Sequence, residues 1–354
     1  MRAMGITYET GFVLGDSIAR EHFDPAVVGR ELAIIRDDLH CTAVRIVGGD
    51  PDRLELAAGI AADLGLEVWF SPYPLELTPE RLLTLFGDCA ERAERVRRRG
   101  AEVVFVVGAE LSLMNPGFLP GDTQQERLAL LLDDRERLPG LVADLGGRVN
   151  DFLGAAVASV RERFGGRVTY AAIPLERVDW TPFDLVGLDL YRSAEVADQF
   201  VDGVRTLVAQ GKPVAITEFG SAAFRGAGDL GARFLEVVDF DPRTRRPLRL
   251  SGEYERDERG QADYVRDLLK IFDDGGVDSA FVFLFALEGF PRRSGGDPRD
   301  DLDRASPAVV AVVEDGSGER YPGLGWEPKA AFDAIAEYYR VSTMDQRSQR
   351  KVTG

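Results

Sequence analysis

The chain has 354 residues, 45% of them hydrophobic, which supplies a sizeable core and fits either one large domain or two small ones. A formal net charge of −17 argues against nucleic-acid binding, which needs a basic surface, and favours a neutral or cationic small-molecule ligand. Two cysteines (Cys41, Cys89) and two histidines (His22, His40) give no disulfide framework, no CxxC motif and no multi-histidine site, so neither metal nor cofactor is expected.

Eight apolar, β-prone runs follow one another: Met4–Tyr8, Thr42–Val47, Leu66–Ser71, Val103–Gly108, Val168–Ile173, Leu185–Leu190, Pro213–Glu218 and Ala280–Phe285. Most are continuous rather than alternating, as strands buried on both faces should be. The intervening segments predict helices. Asp24-Pro25, Asp50-Pro51 and Thr78-Pro79-Glu80 open three of them with a capping residue and a proline in the first turn. Gly65, Gly100 and Gly211 stand just before strands, where a helix C-terminus needs positive φ. A last helix begins near Pro328 with AAFDAIAEYYR. Strand–helix alternation repeated eight times predicts a parallel (β/α)8 TIM barrel, with an open doubly wound sheet as the alternative.

The rhythm predicts a single barrel domain over residues 1–340 and a polar, disordered tail over 341–354. Enlarged loops follow strand 4 (Leu111–Arg167), strand 7 (Ser221–Gly260, read as a loop or short hairpin) and strand 8 (Gly289–Gly325). Each follows a strand's C-terminal end and so should wall the face where barrels place their chemistry. No apolar run approaches the roughly 18–20 residues that span a bilayer, and the N-terminus lacks a secretory signal. A cytoplasmic location is the expectation, with no membrane partner. Basic charge carried almost wholly by arginine reads as a high-GC bacterial genome.

Two runs end on glutamate: VVFVVGAE (Val103–Glu110) and KPVAITEFG, which contains Glu218. A carboxylate is costly to bury in a parallel strand. At the mouth of strands 4 and 7, two of them are the equipment of a glycosidase, whereas either one alone reads equally well as a salt-bridged rim residue.

The arrangement resembles the clan A glycoside hydrolases. AVRIV places Arg45 on strand 2, ITEFG (Ile216–Gly220) resembles a nucleophile segment, VGLDLYR places Tyr191 after strand 6, and GWEPKAAFDAIAEYY resembles the last helix. The likeness spans about Met4–Tyr339. It implies a retaining enzyme acting on a small glycoside or oligosaccharide, with Glu218 as nucleophile and Glu110 as acid/base. It also implies that Arg45 and Tyr191 hydrogen-bond Glu218. Such a pair requires carboxyls about 5–5.5 Å apart, against roughly 6.5–9.5 Å for inversion. Arg45 and Tyr191 should keep Glu218 ionised, while Glu110 should be raised by apolar surroundings and the Glu218 charge.

Two positions depart from the family. Ala109 stands where an asparagine usually precedes the acid/base, and Phe285 where a tryptophan usually ends strand 8. Ala109 keeps a second reading open: a catalytically inactive barrel acting as a carbohydrate-binding or protein-interaction module. The chain also resembles actinobacterial proteins labelled abortive phage infection proteins, which would fit that reading.

Further candidates on the same face are Trp69, Tyr73 and Phe285 as sugar-stacking rings, and Tyr8, Glu9, Glu176, Asp189 and Glu288 as hydroxyl partners. Each has a structural alternative in the core or in a rim network. Trp180 and Trp326 fall in loops. GAGDLG (Gly226–Gly231) opens no βαβ unit and reads as a helix start. DPRDDLD (Asp297–Asp303) lacks EF-hand spacing and reads as a solvated acidic loop. No oligomeric partner is indicated.

Overall fold

All eight expected strands form and are parallel in one sheet. They are β1 (Ala3–Glu9), β2 (Ala43–Gly48), β3 (Glu67–Pro72), β4 (Val103–Ala109), β5 (Arg167–Ala171), β6 (Val186–Asp189), β7 (Val214–Phe219) and β8 (Ser279–Val282). The computed structural model describes residues 1–133, 138–241, 244–314 and 316–353.

Strand order is β5-β4-β3-β2-β1-β8-β7-β6. The ends of this row meet: Ala172 bridges Leu188, its N–H donates to the Gly187 carbonyl (3.1 Å), and Asp189 N–H donates to the Ala172 carbonyl (2.9 Å). The open-sheet alternative is thereby excluded, and the chain is a (β/α)8 barrel. Gly187 makes the seam possible, because a Cβ there would collide with the Tyr170 carbonyl.

Seven long helices coat the strands: α1 (Pro25–Asp37), α2 (Pro51–Asp63), α3 (Pro79–Arg98), α4 (Leu138–Arg161), α5 (Ala197–Val208), α6 (Glu258–Asp274) and α7 (Ala330–Thr353). Asp24 accepts from Ala26 N–H (2.9 Å) and Asp50 from Asp52 N–H (2.9 Å), so the Asp-Pro openings act as caps. Gly65, Gly100 and Gly211 take φ of 81°, 97° and 91° at helix ends. One helix is missing from the expected alternation: the β5–β6 crossover holds only a 3-10 turn, Pro174–Glu176. α7 covers most positions where a disordered tail is expected, and Gly354 lies outside the described residues.

Side chains alternate across each strand and form two layers. Inside the barrel lie Ala3, Ala43, Val47, Trp69, Tyr73, Val104, Val106, Ala109, Ala171, Leu185, Ala215 and Phe281. Outside, between sheet and helices, a larger layer includes Met4, Ile6, Tyr8, Val44, Ile46, Phe105, Val107, Ile216 and Phe219. Burying one such Val, Leu, Ile or Phe stabilises the fold by about 1.5–3 kcal/mol.

The enlarged loops have structure of their own. After β4 come one helical turn (Leu111–Met114) and a helix Gln124–Asp133 before α4, with 134–137 outside the described residues. After β7, GAGDLG supplies a short helix, Ala227–Leu230, and Val238–Phe240 pairs with Pro247–Leu250 in the expected hairpin. After β8, Val310–Val312 pairs with Trp326–Pro328. The acidic run there is solvated only in part: Asp297 and Asp300 stay partly exposed, whereas Asp303 is buried against buried Lys329 (2.7 Å) and Arg256 (2.6 Å), and Asp301 takes Arg256 (2.7 Å). Among the described residues no helix is long and apolar enough to cross a membrane.

Candidate active site

Three register shifts lie near the C-terminal ends of the strands, in the β4–β5, β6–β7 and β7–β8 pairings. They decide where the carboxylates point. On β7, strict alternation from the inward Ala215 would turn Glu218 toward the helices. Instead Ile216 and Phe219 both face outward, and the two residues between them, Thr217 and Glu218, reach the interior network. On β4, Val106 and Ala109 both face inward across a bulge in which Gly108 takes φ 79°.

Glu110 follows at φ 45°, a left-handed conformation that costs a side-chain-bearing residue about 1–2 kcal/mol. The turn is held from behind. Leu111 N–H donates to the Tyr170 hydroxyl (2.7 Å), which donates to Glu176 (2.8 Å), and Glu176 also accepts from Ser112 N–H (3.0 Å). Glu110 N–H donates to the Ala171 carbonyl (2.8 Å).

In the interior, carboxylate oxygens of Glu110, Asp189 and Glu218 lie within 4.8 Å of one another. Arg45, fully buried on β2, serves two of the three. Its Nη1 donates to Glu218 Oε2 (3.4 Å) and the Thr217 carbonyl (2.8 Å) and lies 3.8 Å from Asp189 Oδ1, while Nε donates to Ser71 Oγ (3.1 Å). Tyr191 OH donates to the other Glu218 oxygen (2.8 Å), and Thr217 Oγ1 to Asp189 Oδ1 (2.6 Å). Tyr191 is backed by Phe234 at 6.1 Å, in an apolar cluster built by the loops after β6, β7 and β8.

Three carboxylates share one guanidinium, so they cannot all ionise cheaply. Burial drives Glu110 well above the ordinary carboxylate range, and the charges of Asp189, Glu218 and Glu176 add to it. Burial, then the Asp189 charge, also push Glu218 up to about 8, although Arg45 and Tyr191 oppose this. Asp189 is raised by burial as well. The expectation that Arg45 and Tyr191 keep Glu218 ionised is thus corrected: both do favour the ionised form, but desolvation and a third carboxylate outweigh them. Three oxygens at this spacing are also a donor set for a hard cation, but Arg45 already supplies positive charge against two of the three.

Tyr73 belongs to this site. It is 5% exposed, meets Phe12 edge-on at 5.1 Å, and burial followed by the charges of Glu110, Glu218 and Asp189 raises its phenol. Other expected candidates sit elsewhere. Trp69 is fully buried in the barrel, packed on Phe281 (4.6 Å) with its indole N–H on Glu67, and offers no face to a ligand. Tyr8 and Phe285 lie in the outer layer, where Tyr8 OH donates to Glu31 (2.5 Å) and Phe285 meets Trp326 edge-on (5.1 Å). Glu176 is fully buried as the brace behind Glu110. Glu288 pairs with Arg20 (3.7 Å), and Glu9 is buried, accepts from Phe12 N–H (2.9 Å) and is pushed up to about 7 by burial.

Sequence reasoning passed over Phe12, Ser71, Tyr170 and Thr217. Phe283, two residues beyond the inward Phe281, is the half-buried aromatic at the end of β8; it precedes a cis peptide bond and donates its N–H to the Phe219 carbonyl (2.8 Å).

No protein-family model matches the chain, and no curated protein matches it. Among solved structures it is similar to an endo-1,4-β-D-mannanase from Thermotoga petrophila RKU-1, at 12% identity and TM-score 0.50, covering 96% of this chain and 100% of that one. A β-glucuronidase from Parabacteroides merdae gives 11% identity and TM-score 0.52 over 96% of this chain. A Cytophaga hutchinsonii protein gives 10% and 0.53, covering 98% of this chain and 92% of that one. The chain spans 36% of the P. merdae enzyme and 33% of a Bacteroides uniformis β-glucuronidase. At these identities the likeness is one of fold, a parallel (β/α)8 barrel; the resemblance to phage-infection proteins gains no support from it.

Proposed function

We propose that the chain is a retaining glycoside hydrolase in which Glu218 is the nucleophile and Glu110 the acid/base. The observation that carries this is the short spacing: carboxylate oxygens of the two glutamates within 4.8 Å of each other, on the retaining side of the roughly 6.5–9.5 Å that inversion needs for its water. Glu218, with Tyr191 on one oxygen and Arg45 on the other, attacks the anomeric carbon while Glu110 protonates the leaving oxygen. Glu110 then takes a proton from water, which releases the sugar from Glu218. A buried Glu110 that holds its proton suits the first step. A buried Glu218 whose ionisation is disfavoured is relieved as positive charge develops on the sugar ring.

The mannanase and β-glucuronidase among similar folds support a carbohydrate substrate, and we assign a small glycoside or oligosaccharide. Residues 1–340 are assigned to one catalytic domain of a cytoplasmic bacterial enzyme. Glu110→Gln and Glu218→Gln variants on a panel of aryl glycosides test the reading. Wild-type hydrolysis with retained anomeric configuration, lost by at least a thousandfold in both variants, is the expected result.

Ala109 favours a second reading, a barrel that binds carbohydrate without cleaving it, because that buried interior position carries no amide to hold a sugar hydroxyl. Wild type silent on every sugar of the panel, yet retaining one of them in a binding assay, would put this reading first.

A further inference from the structure

Tyr191 stands on a stretch with no strand or helix of its own: β6 ends at Asp189, and the next helix, α5, begins at Ala197. Three other elements hold the stretch instead, at every second residue. Leu190 N–H donates to the Glu218 carbonyl on β7 (2.8 Å). Arg192 is held by α6: its N–H donates to the Tyr264 hydroxyl (2.9 Å), which in turn donates to the Arg192 carbonyl (2.8 Å). Ala194 N–H donates to the Asp229 carbonyl (3.0 Å) in the short helix Ala227–Leu230. Tyr191 is thereby fixed on both sides, with its hydroxyl 2.8 Å from Glu218.

Tyr264 serves both main-chain groups of Arg192, as a neighbouring antiparallel strand would. It is 6% exposed, and the Arg192 guanidinium lies over its ring at 5.3 Å from the centre. The motif GAGDLG (Gly226–Gly231), which opens no βαβ unit, makes room for this arrangement. A Cβ at Gly228 would stand 2.8 Å from the Tyr264 ring, and one at Gly231 would stand 3.1 Å from the Ser193 side chain. Gly231 also takes φ 58°, which a side chain would disfavour.

We propose that Tyr264 is a positioning residue for Glu218: seated against Gly228, its hydroxyl fixes Arg192 and so keeps the Tyr191 hydroxyl on the Glu218 carboxylate. What this does for catalysis rests on the glycosidase reading, whereas the hold on Glu218 rests on the hydrogen bonds alone.

Glu218 also faces Arg45 from β2, Asp189 from β6 and Glu110 from β4, and Tyr73 after β3 feels its charge. Among these neighbours, Tyr191 is the one joined to Tyr264, through Arg192. A hydroxyl that donates to a carboxylate favours its ionised form, so loosening Tyr191 should make Glu218 harder to ionise.

The titration of Glu218 tests this without any substrate. Protein carrying 13C at the glutamate carboxyl carbon is followed by NMR against pH, with Glu218→Gln identifying the signal. Tyr264→Phe keeps the ring, removes the hydroxyl, and should lower the Glu218 ionisation constant about three- to tenfold. Tyr191→Phe should do at least as much. In the Tyr191→Phe background, Tyr264→Phe should add nothing further, a coupling that a merely structural loss would not produce. Gly228→Ala crowds the Tyr264 ring from the facing element and should shift Glu218 the same way; it serves if the phenylalanine variant does not fold. An unchanged Glu218 in Tyr264→Phe, or a shift that persists without the Tyr191 hydroxyl, overturns the proposal.

Catalysis is read separately, with any aryl glycoside that wild type cleaves. The ascending limb of kcat/KM should move to higher pH in Tyr264→Phe. An unmoved limb beside a shifted NMR titration would count against Glu218 as nucleophile and leave its positioning by Tyr264 intact. If no sugar on the panel is cleaved, the glycosidase reading falls, and the NMR titration alone decides the role of Tyr264.

Discussion

Glu110 and Glu218, delivered by strands on different sides of the barrel, bring carboxylate oxygens within 4.8 Å of each other, with Asp189 inside the same distance. Only Arg45 faces this group as a buried cation, at 3.4 Å from Glu218 and 3.8 Å from Asp189, among the described residues. The protonation of the cluster, more than its packing, should govern how the protein responds to pH and to substitution.

Stability should fall as pH rises from acid to mildly alkaline. Glu218 is pushed up to about 8 in the folded chain, against roughly 4.3 when unfolded. Between those values the folded state keeps a proton that the unfolded state has lost, so its contribution is full below about 4.3 and lost through 8. Urea unfolding at pH 5 and pH 8.5 checks this. Glu218→Gln should gain about 1–3 kcal/mol over wild type at pH 8.5 and little at pH 5; the reverse trend would refute the assignment.

The same shift bears on catalysis. The ascending limb of kcat/KM, which reports ionisation of the nucleophile in the free enzyme, should lie above pH 6 and shift downward in Asp189→Asn, which removes the charge that opposes Glu218 ionisation. A limb near 4 in wild type would count against the three-carboxylate picture.

Removing Arg45 should be severe. Arg45→Met leaves Asp189 and Glu218 buried without their cation, a change worth about 3–5 kcal/mol of stability at mildly alkaline pH, where Glu218 ionises. Arg45→Lys keeps the charge but not the reach to Ser71, Thr217 and Glu218 together, and should fall between. Denaturation midpoints rank the three proteins, and a loss under about 1 kcal/mol in the methionine variant would contradict the account.

Tyr170 acts on Glu110 without touching it. Tyr170→Phe strips the acceptor from Leu111 N–H and a donor from Glu176, at a cost of about 1–3 kcal/mol for buried groups left unpaired. On the proposed function it should lower kcat at least tenfold with little change in KM, because the acid/base is displaced while the sugar's other contacts remain. Steady-state kinetics with an aryl glycoside separates the two constants.

Placing an asparagine at position 109, as in the family the sequence resembles, should not build an ordinary site. Ala109 is fully buried and paired in register with Ala171 inside the barrel, so Ala109→Asn should cost about 1–3 kcal/mol by overpacking. A variant as stable as wild type would show room for the amide that the packing denies.

The parts of the site legible in the sequence were those that local chemistry fixes. Tyr191 and Glu218 stand at or just past the ends of apolar runs, Arg45 is the charge inside one, and the three meet as the family resemblance implies. Trp69, Tyr8 and Phe285 stand near strand ends too, yet none faces the site. An aromatic near a strand end is placed by the phase of its strand, and one bulge reverses that phase. Glu176 reads as a ligand group in the sequence because a run of residues cannot show that Ser112 and Tyr170 already occupy its oxygens.

The number of strands, the helix starts at Asp-Pro and the three strands followed by enlarged loops are legible in the chain alone. These follow from local propensity, capping and the length between apolar runs. It took the folded chain to show that the ring closes at Ala172 and Leu188, that a bulge turns Glu218 inward, and that Asp189 joins the two glutamates. Each of those depends on register or on contacts between distant segments, which a period-two pattern leaves free to slip by one residue and face the other way.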